Sequence, residues 1–464
     1  MVYSYQCSSS SYTGRMTRSR TDCSLLLSCF ALFVLAGCAS QKPVTLMPTP
    51  VLYEEQVIEP FSHVAKPLQT PLTQVFYATN RAHREHDAQR PYGNGVDDEL
   101  HLGQAWVRIG WPDARWDDVV DLSLFNPPDS DVPITLEAIT HWDSLIHRSS
   151  ENAVDWREES HRRFVSDINY ELAHHPDKEI MVYVHGTKTG FVPAIAMAGE
   201  IDHFAGKDFV GVAFAWPAHE NIISYLVGID VRRAQHSSEA LRDLIKLLAA
   251  ETDATRINLL CWSAGGRVTS KALDELRRNH PDLDRHQLRE RYRLGSVVFA
   301  AADVELDRFL ERLPSASDLA QEVIVTVTDG DVALNAARMY MRGEVRIGTQ
   351  DAEAAELEFI RSHHMENVEI IDVSHGHEAR GFDITGHHYW YRHPWNASDI
   401  ILLMRTDLGP ERRGLLNAET ENLWYFPADY PLRVRDSARS VLAEDWAMPP
   451  EDEGGDGAVS KSDD

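Results

Sequence analysis

Apolar positions along the chain fall into two alternating kinds of segment. The first kind is short and almost continuously apolar: Val75 to Thr79, Ile180 to Val184, Phe209 to Phe214, Ile257 to Cys261, Ser296 to Ala300, Val323 to Val327 and Val368 to Asp372. Runs this short with no polar side predict strands covered on both faces. Trp106 to Ile109 alternates instead, as a half-buried strand does. The second kind carries apolar residues every three or four positions. Trp156, Phe164, Ile168 and Leu172 predict a helix over 155–172, and Leu241, Leu244, Ile245 and Leu248 one over 231–250. Further helices are expected over 192–204, 265–278 and 398–404. Strands alternating with helices predict an α/β fold with a mostly parallel, doubly wound sheet. No internal repeat interrupts this order.

One strand–helix junction has unusual chemistry. Ile257-Asn258-Leu259-Leu260-Cys261-Trp262-Ser263-Ala264-Gly265-Gly266 ends an apolar run at a serine with small residues two positions to either side. A strand that turns sharply into a helix needs small side chains at those positions, and the turn presents the serine hydroxyl clear of the backbone. The glycine usual at the first small position is Cys261 here. Cys261 itself is expected to be a small strand-end residue and not a nucleophile.

In doubly wound sheets, ligands sit at the carboxyl ends of the strands. His185-Gly186-Thr187, Ser263, Asp331 and His387 all follow predicted strands, in the order serine, acid, histidine. That order fits a nucleophile–base–acid triad on an α/β hydrolase sheet. Ser263 is then the nucleophile, His387 the general base and Asp331 the acid that orients it. His388 rivals His387, and Asp303 and Asp329 rival Asp331. Asp303 is expected rather to cap the helix that contains Phe309 and Leu310. The backbone N–H groups of Ala264 and Thr187 are the candidate oxyanion donors. Trp216 is expected either to line the substrate pocket or to cap the core. Lys188 is either a substrate-facing charge or a solvated loop lysine.

Several landmarks recur in order: Tyr77-Ala78-Thr79-Asn80-Arg81, Val184-His185-Gly186, Phe214-Ala215-Trp216-Pro217, Ser263-Ala264-Gly265-Gly266, Ala301-Ala302-Asp303, Asp331-Val332-Ala333-Leu334 and Gly386-His387-His388-Tyr389. In these the chain resembles a bacterial α/β-hydrolase family of unknown function. The resemblance implies the α/β-hydrolase fold, and it favours His387 because that residue occupies the family's Gly-His-x-Tyr position. Two departures stand out. Trp262 and Ala264 replace the His and Met that usually flank the serine, and His185-Gly186-Thr187-Lys188 replaces His-Gly-Tyr-Asn. Both lie beside the nucleophile or the oxyanion site, so they bear on substrate and rate more than on fold.

Charge and composition narrow the partners. The formal net charge of −27 repels phosphate backbones, which argues against a nucleic-acid partner. Arg15, Arg18 and Arg20 precede an apolar run from Cys23 to Leu35 that is too short for a comfortable membrane span. It ends in Leu35-Ala36-Gly37-Cys38, which resembles a bacterial lipobox. That resemblance implies cleavage before Cys38, lipid on its sulfur and, with Ala39 following, an outer-membrane anchor in a two-membrane bacterium. The expected organisation is a signal peptide over 1–37, an extended tether over 38–72 built on Pro43, Pro48, Pro50, Pro60, Pro67 and Pro71, a hydrolase domain over 73–440 and an acidic, disordered tail over 441–464. Removal of the leader and lipidation of Cys38 would leave Cys261 as the one free cysteine, with no intrachain disulfide. His375-x-His377 has zinc-like spacing but no convincing further ligand, so no metal or other cofactor is expected. The predicted protein is a cell-envelope serine hydrolase acting on an ester-type small molecule or lipid. Only one short helix fits between Ala302 and Val323, which leaves no room there for a large lid and favours short or accessible esters. A catalytically inactive scaffold that binds an envelope component, or an amidase or peptidase using the same triad, are the alternatives.

Overall fold

The computed structural model describes residues 44–56, 59–84, 87, 90–146, 159–221, 224–225, 227–328, 347, 357–374, 387–418 and 422–445. The signal peptide, Cys38 and residues 446–464 of the expected tail lie outside them, while its first residues, 441–445, are the end of a helix rather than disordered.

Among the described residues, eleven strands form one sheet in the order β10-β11-β9-β8-β7-β6-β4-β5-β1-β2-β3. They are β1 (Leu72–His83), β2 (Tyr92–Ile109), β3 (Ile134–Ile146), β4 (Glu179–Val184), β5 (Val210–Phe214), β6 (Arg256–Trp262), β7 (Leu294–Ala300), β8 (Ala320–Val327), β9 (Val368–Asp372), β10 (Leu416–Asn417) and β11 (Leu423–Tyr425). From β11 across to β1 every neighbouring pair is parallel. The β1–β2, β2–β3 and β10–β11 pairs at the two edges are antiparallel.

The central strands are apolar throughout because both faces are covered. Along β4, Val182 and Val184 join one buried cluster and Met181 and Tyr183 the other. On the first face pack α2 (Glu159–Leu172), α4 (Ile229–Glu251), α5 (Gly265–Arg278) and α7 (Leu306–Leu319), through Phe164, Leu244, Val268 and Phe309 among others. On the second pack α3 (Phe191–Phe204), α9 (Pro394–Arg405) and α10 (Tyr430–Asp445), through Ile195, Leu403 and Val434. The remaining named helices are α1 (Trp116–Leu124), α6 (Arg285–Tyr292) and α8 (Tyr389–Arg392). Pairing of β4 between β5 and β6 places the chain crossover at mid-sheet, beside the carboxyl ends of β4 and β6, where doubly wound sheets bind ligands.

Two further expectations need correction. The stretch from residue 44 onward is not an extended tether: Leu46, Met47, Val51, Leu52 and Tyr53 are all buried. The Leu46 N–H donates to the Val132 carbonyl at 2.8 Å, the Leu52 N–H to Ser398 Oγ at 3.2 Å, and the Tyr53 hydroxyl to the Phe204 carbonyl. The prolines here punctuate a segment with enough apolar side chains to be held by the second face of the domain. The half-buried strand expected over 106–109 is the end of a much longer β2, which pairs with the unanticipated β3.

Candidate active site

β6 ends at Trp262 and α5 begins at Gly265, so the reversal of direction falls on Ser263 and Ala264. Ser263 has φ 53°, in the left-handed region that costs a residue with a Cβ about 1–2 kcal/mol. Three backbone bonds hold it there. Its N–H donates to the Ala300 carbonyl at 3.0 Å, and its own carbonyl accepts from Gly266 at 2.9 Å and Asp303 at 3.0 Å. The small residues are required sterically. A Cβ on Gly265 would lie 2.4 Å from the Val184 carbonyl oxygen and 2.8 Å from that of His185. At the other small position, Cys261 is fully buried and its thiol donates to the Val298 carbonyl at 3.0 Å. Burial pushes that thiol far up from its ordinary value, so it is inert at neutral pH.

His387 Nε2 lies 2.8 Å from Ser263 Oγ. The expected pair is therefore in hydrogen-bonding contact, although 124 residues separate its members. Two aromatic neighbours fix the histidine segment. Trp262 Nε1–H donates to the His387 carbonyl at 3.2 Å. The Tyr389 hydroxyl accepts the Ala301 N–H at 3.0 Å and lies 2.6 Å from Thr326 Oγ1, which ties this segment to the ends of β7 and β8. Trp262 thus has a structural task at the position where the resembling family carries His. His388 packs on Trp262 and Tyr391, at ring-centroid distances of 5.2 and 5.8 Å.

Asp331 and its rival Asp329 lie outside the described residues. Asp303, the other rival, is buried and engages Arg267 at 3.4 Å; Arg267 also binds Glu305. It is not the helix cap expected from the sequence, since α7 starts at Leu306 with Glu305 in the cap position. Its side chain is drawn to the buried guanidinium of α5.

The candidate oxyanion loop leaves β4 at His185. A Cβ on Gly186 would lie 2.8 Å from Ser263 Cβ, so this loop abuts Ser263. His185 is fully buried and stacked on Trp216, with ring centroids 5.3 Å apart and planes 7° off parallel. Burial lowers its pKa to about 3, so it is neutral. Its Nδ1 lies 2.7 Å from the Gly186 carbonyl, which can only accept, so Nδ1 carries the proton. In a trans peptide the C=O and N–H point oppositely, so this bond turns the Thr187 N–H away from the His185 ring. Trp216 Nε1–H donates to the His185 carbonyl at 2.6 Å. Trp216 is fully buried and braces the loop through this bond. Lys188 has φ 62°.

Two residues outside the expected set also grip the loop. Arg81, fully buried, donates to the carbonyls of Thr189 at 2.7 Å, Ala215 at 3.2 Å and Gly93 at 3.3 Å. Asp230, in the first turn of α4, accepts the Thr187 hydroxyl at 3.0 Å. Arg81 stands in one of the recurring landmarks. Asp230 carries no sequence signal beyond being acidic at a helix start.

His375 and His377 lie outside the described residues. Among the described residues no group of three or more His, Cys, Asp or Glu side chains is arranged to hold a metal ion, and no helix is long and apolar enough to cross a membrane. Two surface cavities, about 340 and 670 Å³, lie around Phe61 and Trp116 and around Trp111 and Phe125, and contain none of the residues above.

Sheet order, the strained serine between strand and helix, and a histidine on its hydroxyl together define an α/β hydrolase. Residues 160–401 match the family described as "Alpha/beta hydrolase of unknown function (DUF900)", and the chain belongs to that family. Among solved structures, a protein named "putative hydrolase" from Legionella pneumophila is similar at 10% identity, over 75% of this chain and 91% of that one, with a TM-score of 0.19. Comparison with curated proteins gives no match.

Proposed function

We propose that this hydrolase uses Ser263 as a nucleophile and transfers an acyl group to water, with carboxyl esters as its substrates. The observation that carries this reading is the 2.8 Å contact between Ser263 Oγ and His387 Nε2 at a residue strained into φ 53°. Strain of this kind persists where the surroundings over-determine it, often at functional sites.

His387 Nε2 takes the hydroxyl proton as Oγ bonds to the carbonyl carbon of the ester. The negative charge passes to the carbonyl oxygen, which the N–H groups of Ala264 and Thr187 stabilise. Loss of one such donor costs about 2.7–4 kcal/mol of transition-state stabilisation. The imidazolium then gives its proton to the departing alkoxide, and the acyl-enzyme is cleaved by water activated by the same histidine. Asp331 is assigned to the Nδ1 side of His387. The chemistry needs no cofactor.

The leader features and Cys38 support a lipid-anchored protein of the cell envelope, on the outer membrane facing the periplasm. Two experiments test these readings. Hydrolysis of p-nitrophenyl acetate should disappear in Ser263→Ala and His387→Ala; a wild-type rate in either removes the proposed triad. Mass spectrometry of the mature N-terminus should find diacylglycerol on Cys38; an unmodified Cys38 removes the anchor.

A further inference from the structure

The residues that hold Thr187 form a unit of their own. β4 and β5 are neighbours in the sheet, and the chain beyond each carries one half of a clamp. Thr187 follows β4 and His219 follows β5. Between them sits the carboxylate of Asp230, wholly buried in the first turn of α4. One oxygen, Oδ2, accepts the Thr187 hydroxyl at 3.0 Å. The other, Oδ1, lies 2.7 Å from His219 Nδ1 and accepts the His219 backbone N–H at 3.3 Å. The helix start favours a carboxylate at this place.

The backbone around Thr187 is constrained on both sides. The Gly186–Thr187 peptide is turned by His185, and the Thr187 carbonyl accepts the Thr189 hydroxyl at 3.2 Å. These bonds set the tilt of the two peptide planes. The side-chain bond to Asp230 adds a further restraint on where Thr187 stands, because a β-branched residue has few χ1 choices and its hydroxyl is held by a buried carboxylate. Thr187 is also where the resembling family carries Tyr, so the clamp accompanies a departure of this chain.

Building on the Ser263 reading, we propose that Asp230 is a positioning residue for the reaction. By gripping the Thr187 hydroxyl it holds the Thr187 N–H at the distance the oxyanion needs, and His219 fixes which way the carboxylate faces. The donor is thereby preorganised by a side chain outside the triad. A donor held off its position by a fraction of an ångström still folds and still binds substrate, but stabilises the transition state less.

The test uses the intact protein with Thr187→Val, Thr187→Ser, Asp230→Asn and the double variant Thr187→Val/Asp230→Asn. Active sites are counted with a fluorophosphonate, and kcat and KM are measured per titrated site on p-nitrophenyl acetate, beside the melting temperature. Thr187→Val keeps shape but loses the hydroxyl, so kcat should fall by about tenfold or more while KM stays within about threefold. Thr187→Ser restores the hydroxyl and should recover most of that loss. The double variant should lose no more than Asp230→Asn alone, since both act through one bond. Thr187→Val turning over at the wild-type rate per site overturns the proposal, as does a change confined to melting temperature or to the fraction of titratable sites. A wild type that takes up no probe overturns the Ser263 reading and this inference with it; a labelled wild type beside a full-speed Thr187→Val overturns the inference alone.

Discussion

Replacing Gly186 by alanine tests the closeness of the loop after β4 to Ser263, the proposed nucleophile. The backbone of Gly186 is outside the left-handed region, so alanine brings no conformational strain and only the added methyl matters. That methyl would stand 2.8 Å from Ser263 Cβ and 3.3 Å from both the Trp262 carbonyl oxygen and its Cε3. Carbon atoms in comfortable contact are about 3.5–4.0 Å apart. The loop and Ser263 must therefore separate by roughly 0.7–1.2 Å. Neither side yields easily. Ser263 is bonded through its N–H and carbonyl to β7 and its following turn, and the loop is braced by Trp216 and Arg81. Overpacking of this sort costs about 1–3 kcal/mol of stability. A misplacement of about 1 Å costs on the order of 100-fold in rate. Gly186→Ala should therefore fold, melt a few degrees lower, and show kcat on p-nitrophenyl acetate reduced about 100-fold per titrated site. Retention of kcat within about threefold of wild type, with the variant folded, would refute the reasoning.

Other outcomes follow from the described contacts and from the proposed triad. Trp262→Phe keeps the ring and loses the bond to the His387 carbonyl, worth about 1 kcal/mol, so kcat should fall about fivefold; an unchanged pre-steady-state rate would sink this role. Asp331→Asn should lower kcat by roughly 10³–10⁴-fold. Asp303→Asn, which weakens the Arg267 pair, should instead cost about 1–3 kcal/mol in denaturant titrations and leave the rate within about tenfold; the reverse pattern would exchange the two assignments. Burial raises the Glu200 carboxyl to about 7, where it accepts the Met47 N–H of the N-terminal segment. Between about pH 4.5 and 7 the unfolded chain releases this proton and the folded protein keeps it. Glu200 therefore contributes stability at pH 4.5 that is lost as pH rises through 7, by roughly 3 kcal/mol relative to Glu200→Gln. Parallel pH–stability curves for the two proteins would contradict this. Iodoacetamide should leave the native enzyme active because the Cys261 thiol is buried and protonated.

What the sequence revealed divides along physical lines. β4 to β9 were legible because both faces are buried, so every position is apolar and the run has sharp ends. β2 and β3 were not. They lie toward the sheet edge, where Asp97, Asp98 and Glu99, and Glu137 and His141, face solvent and dilute the alternation. From residue 44 to 56, closely spaced prolines give the segment an extended, tether-like pattern, although Leu46, Met47, Val51, Leu52 and Tyr53 between them are buried in the domain. Ser263 was legible since its turn imposes local steric demands that any sequence must meet. His387 was found through strand order and the landmark around it. Asp230 escaped: it precedes the apolar period of α4, and its partner Thr187 lies 43 residues away with nothing in either residue to name the other.

The most direct test of the central claim is the intact mass of the protein after a fluorophosphonate, followed by peptide mapping. The serine mechanism predicts one adduct per chain, on the peptide containing Ser263, absent from Ser263→Ala and much slower to form in His387→Ala. No adduct on the folded wild type, or an adduct that persists in Ser263→Ala, would contradict it.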